Sequence, residues 1–136
     1  MHLFLYLGGN GLFQIDYKSS VPIYDQIVKS AIKLISLGAL RTGDKMPSVR
    51  QTAVTLGVNP NTVQKAYNIL ESKGVVVSVS GKGSFVSEEF DAKEELKSEA
   101  VSSLFKSMED AKCAGVSRAE ILQAVEKLYG GVKQND

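Results

Sequence analysis

Asn61, Thr62, Gln64, Lys65 and Asn68 fall at helical spacing on one side of a segment whose other side is apolar. None is needed for packing. Side-chain amides such as those of Asn61 and Gln64 can pair with base edges, notably adenine. Thr62 can meet a thymine methyl, and Lys65 can hold a phosphate or a guanine. Arg50, a little upstream, suits phosphate or guanine as well. Taken alone, such a face is ordinary solvated surface. Its meaning depends on the elements that carry it.

Two short helices joined by a tight turn carry these side chains. Ser48 is a good N-cap, because its hydroxyl can accept from an orphan backbone N–H of the first turn. Val49, Ala53 and Leu56 recur at i, i+4 and i+7 and form an apolar face. Gly57 follows, where a left-handed C′ residue costs glycine little. Val58 can point back into the core. Asn59 is a second N-cap, and Pro60 stands at N1, where its missing N–H matters least. Val63, Ala66, Tyr67 and Leu70 make the buried stripe of the second helix, and Gly74 closes it. The layout predicts a helix-turn-helix, whose second helix can enter a DNA major groove.

After Gly74 the period changes. Val75, Val76, Val77 and Val79 are β-branched and predict a strand. Ser80-Gly81-Lys82-Gly83 is a turn, and Ser84-Phe85-Val86 a return strand. Gly81, Lys82 and Gly83 make a mobile, slim, cationic hairpin tip, which could reach a minor groove or follow the backbone.

Four stretches in order now resemble a known family: Pro22-Ile23-Tyr24-Asp25-Gln26-Ile27, then Gly38 to Arg50, then Gly57-Val58-Asn59-Pro60-Asn61-Thr62-Val63, then Gly81-Lys82-Gly83-Ser84-Phe85-Val86. From about Gln14 to Val86 the chain resembles the winged-helix domain of GntR-type bacterial transcription regulators. Its Val-Asn-Pro-Asn-Thr form is similar to the short, YtrA-like subfamily. The resemblance implies operator contacts by Arg50, by the start of the second helix and by the wing glycines. Many members carry Arg or Ser where Pro60 stands, and a proline cannot make that side-chain contact. Control of a transporter operon is a further implication of the subfamily.

Charge is divided unevenly. Residues 17–86 hold nine Lys/Arg against three Asp/Glu, a net of +6, whereas residues 87–136 hold seven against eleven, a net of −4. The basic part carries the helix-turn-helix, and phosphate neutralisation there would supply salt-sensitive affinity. A length of 136 residues and 43% hydrophobic content fit one small domain with an appendage. No apolar run approaches the roughly 20 residues of a membrane span, and Leu3 to Leu7 lacks the basic flank of a secretory signal. One cysteine, Cys113, excludes an intrachain disulfide framework and fits a cytoplasmic location.

Residues 1–13 look unlike the family and are read as an N-terminal extension; a flexible arm, an added strand and an upstream start all fit. A helix is predicted from near Ser20, with Pro22 in its first turn and Gly38 at its end. Gly43-Asp44 is a turn, and Lys45-Met46 a very short strand beside the wing. The winged domain is placed at residues 14–86. Residues 87–136 are read as a two-helix dimerisation region. Its first helix, predicted from Glu88 to Ala114, carries Leu96, Ala100, Leu104 and Met108 on one stripe. Ser117 and Glu120 form a capping box for the second, whose apolar face includes Ile121, Leu122, Val125 and Leu128. Gly130-Gly131 ends it before a polar tail. Two thin helices cannot bury so wide a stripe, and a second copy is the simplest cover. Packing back on the chain's own winged domain is the other solution.

No enzyme is expected. The only histidine is His2, no Cys/His spacing suits a metal, and the paired carboxylates Glu94-Glu95 and Glu109-Asp110 fit a solvated helix face. No catalytic residue, metal or cofactor is expected. The sequence therefore predicts a mainly α fold with a small β-wing, a winged helix-turn-helix followed by a two-helix dimerisation tail. The expected partners are a palindromic double-stranded DNA operator and a second copy, with no membrane. Repression by blocking promoter access is the expected action. A ligand-sensing repressor with an effector in the dimer crevice is a weaker option. A winged-helix protein-interaction module without DNA readout is the alternative from another class, against which Arg50, Lys65 and Lys82 argue.

Overall fold

The computed structural model describes residues 12–130. Seven elements follow in order: α1 (Ile23–Ser36), α2 (Val49–Leu56), α3 (Pro60–Ser72), β1 (Val76–Val79), β2 (Gly83–Val86), α4 (Ala92–Cys113) and α5 (Arg118–Tyr129). The fold is mainly α with a small antiparallel β-wing, as the sequence predicts. The chain divides after Leu96 into two compact units. No described helix is long and apolar enough to cross a membrane.

In the first unit α3 is central: α1, α2 and β1 all pack on it. Its contribution is Val63, Ala66, Tyr67 and Leu70, all buried. They meet Ile27, Val28, Ala31 and Ile32 of α1 and Ala53 and Leu56 of α2 in one core, which Val75, Val76 and Val86 close on the wing side. Apolar surface removed from water, roughly 25 cal/mol per Å², is what holds these short elements together.

Several boundaries differ from the sequence expectation, each for a local reason. Helix α1 starts at Ile23, with Pro22 in extended geometry at the N-cap position. The Gln26 amide donates to the carbonyls of Asp16 and Val21, which holds the preceding backbone outside the helix. Helix α4 starts at Ala92, not Glu88. The Ser87 hydroxyl accepts from the Glu89 N–H and the Asp91 carboxylate from the Glu94 N–H, so a turn precedes the helix. Leu12 and Phe13, assigned by sequence to the N-terminal extension, are 4% and 1% exposed and belong to the core. The rest of that extension, His2 included, and the polar tail beyond Gly131 lie outside the described residues. The sequence placed the edge of the winged domain at Val86. Phe90, Ala92 and Leu96 nevertheless pack on its core.

The wing has a register of Val76 opposite Val86, Val77 opposite Phe85, Ser78 opposite Ser84 and Val79 opposite Gly83. On the other edge of β2, Lys45 bridges Phe85, the short third strand that the sequence suggested. Met46 N–H donates to the Ser84 carbonyl and Val86 N–H to the Asp44 carbonyl, each at 2.8 Å. The wing is thereby tied to the segment that enters α2.

One buried hydroxyl links α3 to that same segment. Tyr67 Oη donates to the Pro47 carbonyl at 2.7 Å and lies 3.1 Å from Thr52 Oγ1, itself buried in α2. Burial pushes the Tyr67 phenol up from its ordinary 10 to about 12, against a smaller opposing effect of the Thr52 hydrogen bond. Below pH 10 the phenol is protonated whether the chain is folded or not, and its effect on stability is constant. Between about pH 10 and 12 only the unfolded chain releases the proton, so stability falls as pH rises, by about 1.4 kcal/mol per pH unit. Tyr67→Phe should lower stability by about 1–3 kcal/mol at neutral pH through the orphaned Pro47 and Thr52 groups. It should also remove this part of the alkaline decline. Denaturant unfolding of both proteins from pH 8 to 11.5 checks the two effects together.

Candidate nucleic-acid interface

The turn between α2 and α3 is built as its residue types require. Ser48 Oγ accepts from the Gln51 N–H at 3.0 Å and caps α2. Gly57 takes φ +66°, a left-handed conformation that glycine enters without a Cβ penalty. The Val58 N–H then reaches back to the Ala53 carbonyl at 3.0 Å, and the Val58 side chain packs on the core. Asn59 Oδ1 accepts from the Asn61 N–H at 2.8 Å, with Pro60 at the first helical position.

This start aims α3 so that its polar side stays in water. Asn61, Gln64, Lys65 and Asn68 are exposed and Thr62 is half-buried at the flank. The polar side is not a set of independent side chains. Gln64 Nε2 donates to Asn68 Oδ1 at 2.9 Å across one turn. Lys65 Nζ sits 3.9 Å from the centroid of the Tyr24 ring, so its ammonium lies against α1. A cation over an aromatic face is held there by the ring quadrupole. Sequence spacing could suggest the first pair, but not the second, whose members lie on different helices. Arg50 is exposed in the first turn of α2.

Across from α3 stands the wing. Gln64, Asn68 and Glu71 on the helix and Ser78, Ser80 and Ser84 on the hairpin line an open groove of about 360 Å³. Ser80, Gly81 and Lys82 form the loop between the paired residues Val79 and Gly83, and Lys82 is exposed. Gly81 has φ +74° and Gly83 φ +109°, so both glycines are demanded by the backbone. The sequence expectation was a mobile tip; the hairpin geometry adds that both positions take a positive φ. A Cβ at position 83 would also come within 3.1 Å of Lys45 Cε.

The residues expected to dimerise do not all share one environment. Leu96 is half-buried against the core of the winged unit. In the second unit, Met108 and Ile121 are half-buried, whereas Ala100, Leu104, Leu122, Val125 and Leu128 are exposed. Ser117 and Glu120 form the expected capping box at the start of α5.

A capped recognition-type helix, a glycine turn and a hairpin wing in a basic segment define a winged helix-turn-helix regulator. The model of the bacterial regulatory proteins of the gntR family matches residues 23–86. The transcriptional repressor YtrA of Bacillus subtilis is 36% identical over 126 residues, which is 90% of this chain and 95% of that protein. A transcriptional regulator from Oenococcus oeni has a similar structure, with TM-score 0.67, 29% identity, and coverage of 84% of this chain and 96% of its own. YtrA from Sulfolobus acidocaldarius, a GntR-family transcription factor, gives TM-score 0.57 and 40% identity over 69% of this chain and 98% of its own. The chain belongs to the GntR family of DNA-binding transcription regulators.

Shape and charge in the wing should separate by mutation. Gly83→Ala forces a left-handed alanine against Lys45 and should destabilise the fold by about 1–3 kcal/mol. Lys82→Ala should leave the melting temperature unchanged, weaken binding to all duplexes alike, and lower the salt slope of DNA binding by about one. Thermal melts and binding titrations at several salt concentrations check both.

Proposed function

We propose that this regulator is a dimeric, cytoplasmic repressor that binds a palindromic operator. The observation that carries the reading is the exposed polar side of α3 beside the Lys82 wing, within a segment of net charge +6. In this reading α3 enters the major groove. Asn61, Thr62 and Gln64 meet base edges. Ser48 and Asn59 set the two helix starts, Arg50 holds a phosphate or a guanine, and Lys65, seated over Tyr24, holds backbone. Gly81, Lys82 and Gly83 bring the wing to the adjoining groove or strand. A bound copy then blocks promoter access. The subfamily likeness extends this to control of a transporter operon.

The exposed apolar residues of the second unit support the dimer. Leu104 is 58% exposed and Leu122 48%, and Val101, Phe105, Val125, Leu128 and Tyr129 are exposed with them. Apolar surface on this scale marks an association site. A two-fold pair of winged units would match two half-sites of a palindrome.

Two experiments test the proposal. In the first, a labelled fragment of the chain's own promoter competes with excess random duplex at two salt concentrations. The fragment should win at both; equal competition by random DNA would remove sequence-specific readout. Arg50→Ala should cost about 1–3 kcal/mol on that fragment if Arg50 reads a base. In the second, Leu104→Glu is sedimented with circular dichroism as a folding control. One chain already leaves Leu104 largely in water, so the unit should stay folded. In the dimer the carboxylate would be desolvated without a partner, at a cost of several kcal/mol. The expected product is a folded monomer with weak half-site binding. A tight Leu104→Glu dimer would place the interface elsewhere.

A further inference from the structure

The hydrogen bond between Gln64 and Asn68 limits what α3 can say to a base. A primary amide has one oxygen and two N–H groups. One Gln64 N–H is taken by Asn68 Oδ1 at 2.9 Å. What remains at Gln64 is Oε1 and one N–H, an acceptor beside a donor. Adenine presents the complement in the major groove, a donor at N6 and an acceptor at N7. An unrestrained amide can turn over about its terminal bond and present the reverse order. Turning the Gln64 amide alone would set its oxygen against the Asn68 oxygen, which donates nothing, so the pair can reverse only if both amides turn together. Both side chains are exposed, and both line the groove that faces the wing, so neither is held in place by the core.

We infer that Gln64 is an adenine-selecting residue and that Asn68 is the positioning residue that holds its amide in place. This deepens the DNA-binding reading above and rests on it. Asn68 retains its own two N–H groups, which suit an acceptor on a neighbouring base or a phosphate. Its effect on the adenine position is therefore separable from its effect on total affinity.

The test is binding selection from a pool of randomised duplexes, run on the full chain and four variants, each checked by circular dichroism. The wild type should enrich adenine at one position of each half-site. Gln64→Ala should abolish that enrichment, and Gln64→Glu, which has acceptors only, should move it toward cytosine, whose N4 group donates. Asn68→Ala should reduce the enrichment several-fold at that position. Asn68→Asp keeps an oxygen that accepts from Gln64, so adenine should still be enriched while affinity falls for all duplexes through added negative charge. A wild-type consensus that Gln64→Ala or Asn68→Ala leaves unaltered would overturn the inference and leave the DNA-binding reading standing. So would loss of adenine in Asn68→Asp equal to that in Asn68→Ala. No enrichment by the wild type at any position would overturn both.

Discussion

Tyr67 is 5% exposed, and a hydroxyl so buried needs partners or the core loosens. It finds them on two other segments, at the Pro47 carbonyl and at Thr52 Oγ1. Pro47 is the residue before the cap of α2, and Thr52 is one turn inside that helix. A single oxygen thus fixes α3 against both the entry and the body of α2. The apolar contacts around it set how closely the helices approach, but such contacts are non-directional. The hydrogen bonds supply the direction. Arg50, between Pro47 and Thr52 in the chain, inherits its position relative to the polar side of α3 from them.

The wing depends on the same entry segment. Asp44, Lys45 and Met46 pair with the edge of β2 that β1 leaves open. A two-stranded hairpin is marginal by itself, and a third segment plus an apolar face makes it stable. Here the third segment also begins α2. The second anchorage is lower down, where the Tyr17 hydroxyl donates to the Leu56 carbonyl at the far end of the helix. Helix α2 is only eight residues long, too short to hold its shape alone, and it is tied at both ends by chain from outside it.

Much of this was legible in the sequence because it is written in local chemistry. Ser48, Gly57, Asn59 and Pro60 each prefer one place at a helix end, and together they mark the turn to the residue. The valines after Gly74 mark the change of period. What escaped was tertiary. Leu12 and Phe13 are two apolar residues beside a glycine-rich stretch, with no period to announce that they fill the core. Leu96 continues the stripe of α4 in sequence, yet Phe90 and Ala92 carry that first turn onto the winged core, so the stripe serves two different surroundings. Lys65 was read as one of a row of polar side chains, but an aromatic ring on α1 claims it. The Tyr67 stripe position was clear from spacing; its hydroxyl partners were not, since Pro47 lies twenty residues away.

The start of α3 carries one more consequence. A helix N-terminus ordinarily offers unpaired N–H groups and a partial positive charge, a ready seat for an anion. Here Pro60 has no N–H to offer. Asn59 supplies acceptors for the next three: its side chain for Asn61, and its carbonyl for Thr62 and Val63. The main chain at this end is spent on itself. The N–H groups of Asn61, Thr62 and Val63 are therefore not free to clasp an anion. In the DNA-binding reading proposed above, recognition at the tip of α3 would fall mainly on side chains, which differ from one sequence to the next. Those three backbone groups, which would grip any nucleic acid in the same way, would take no share in it.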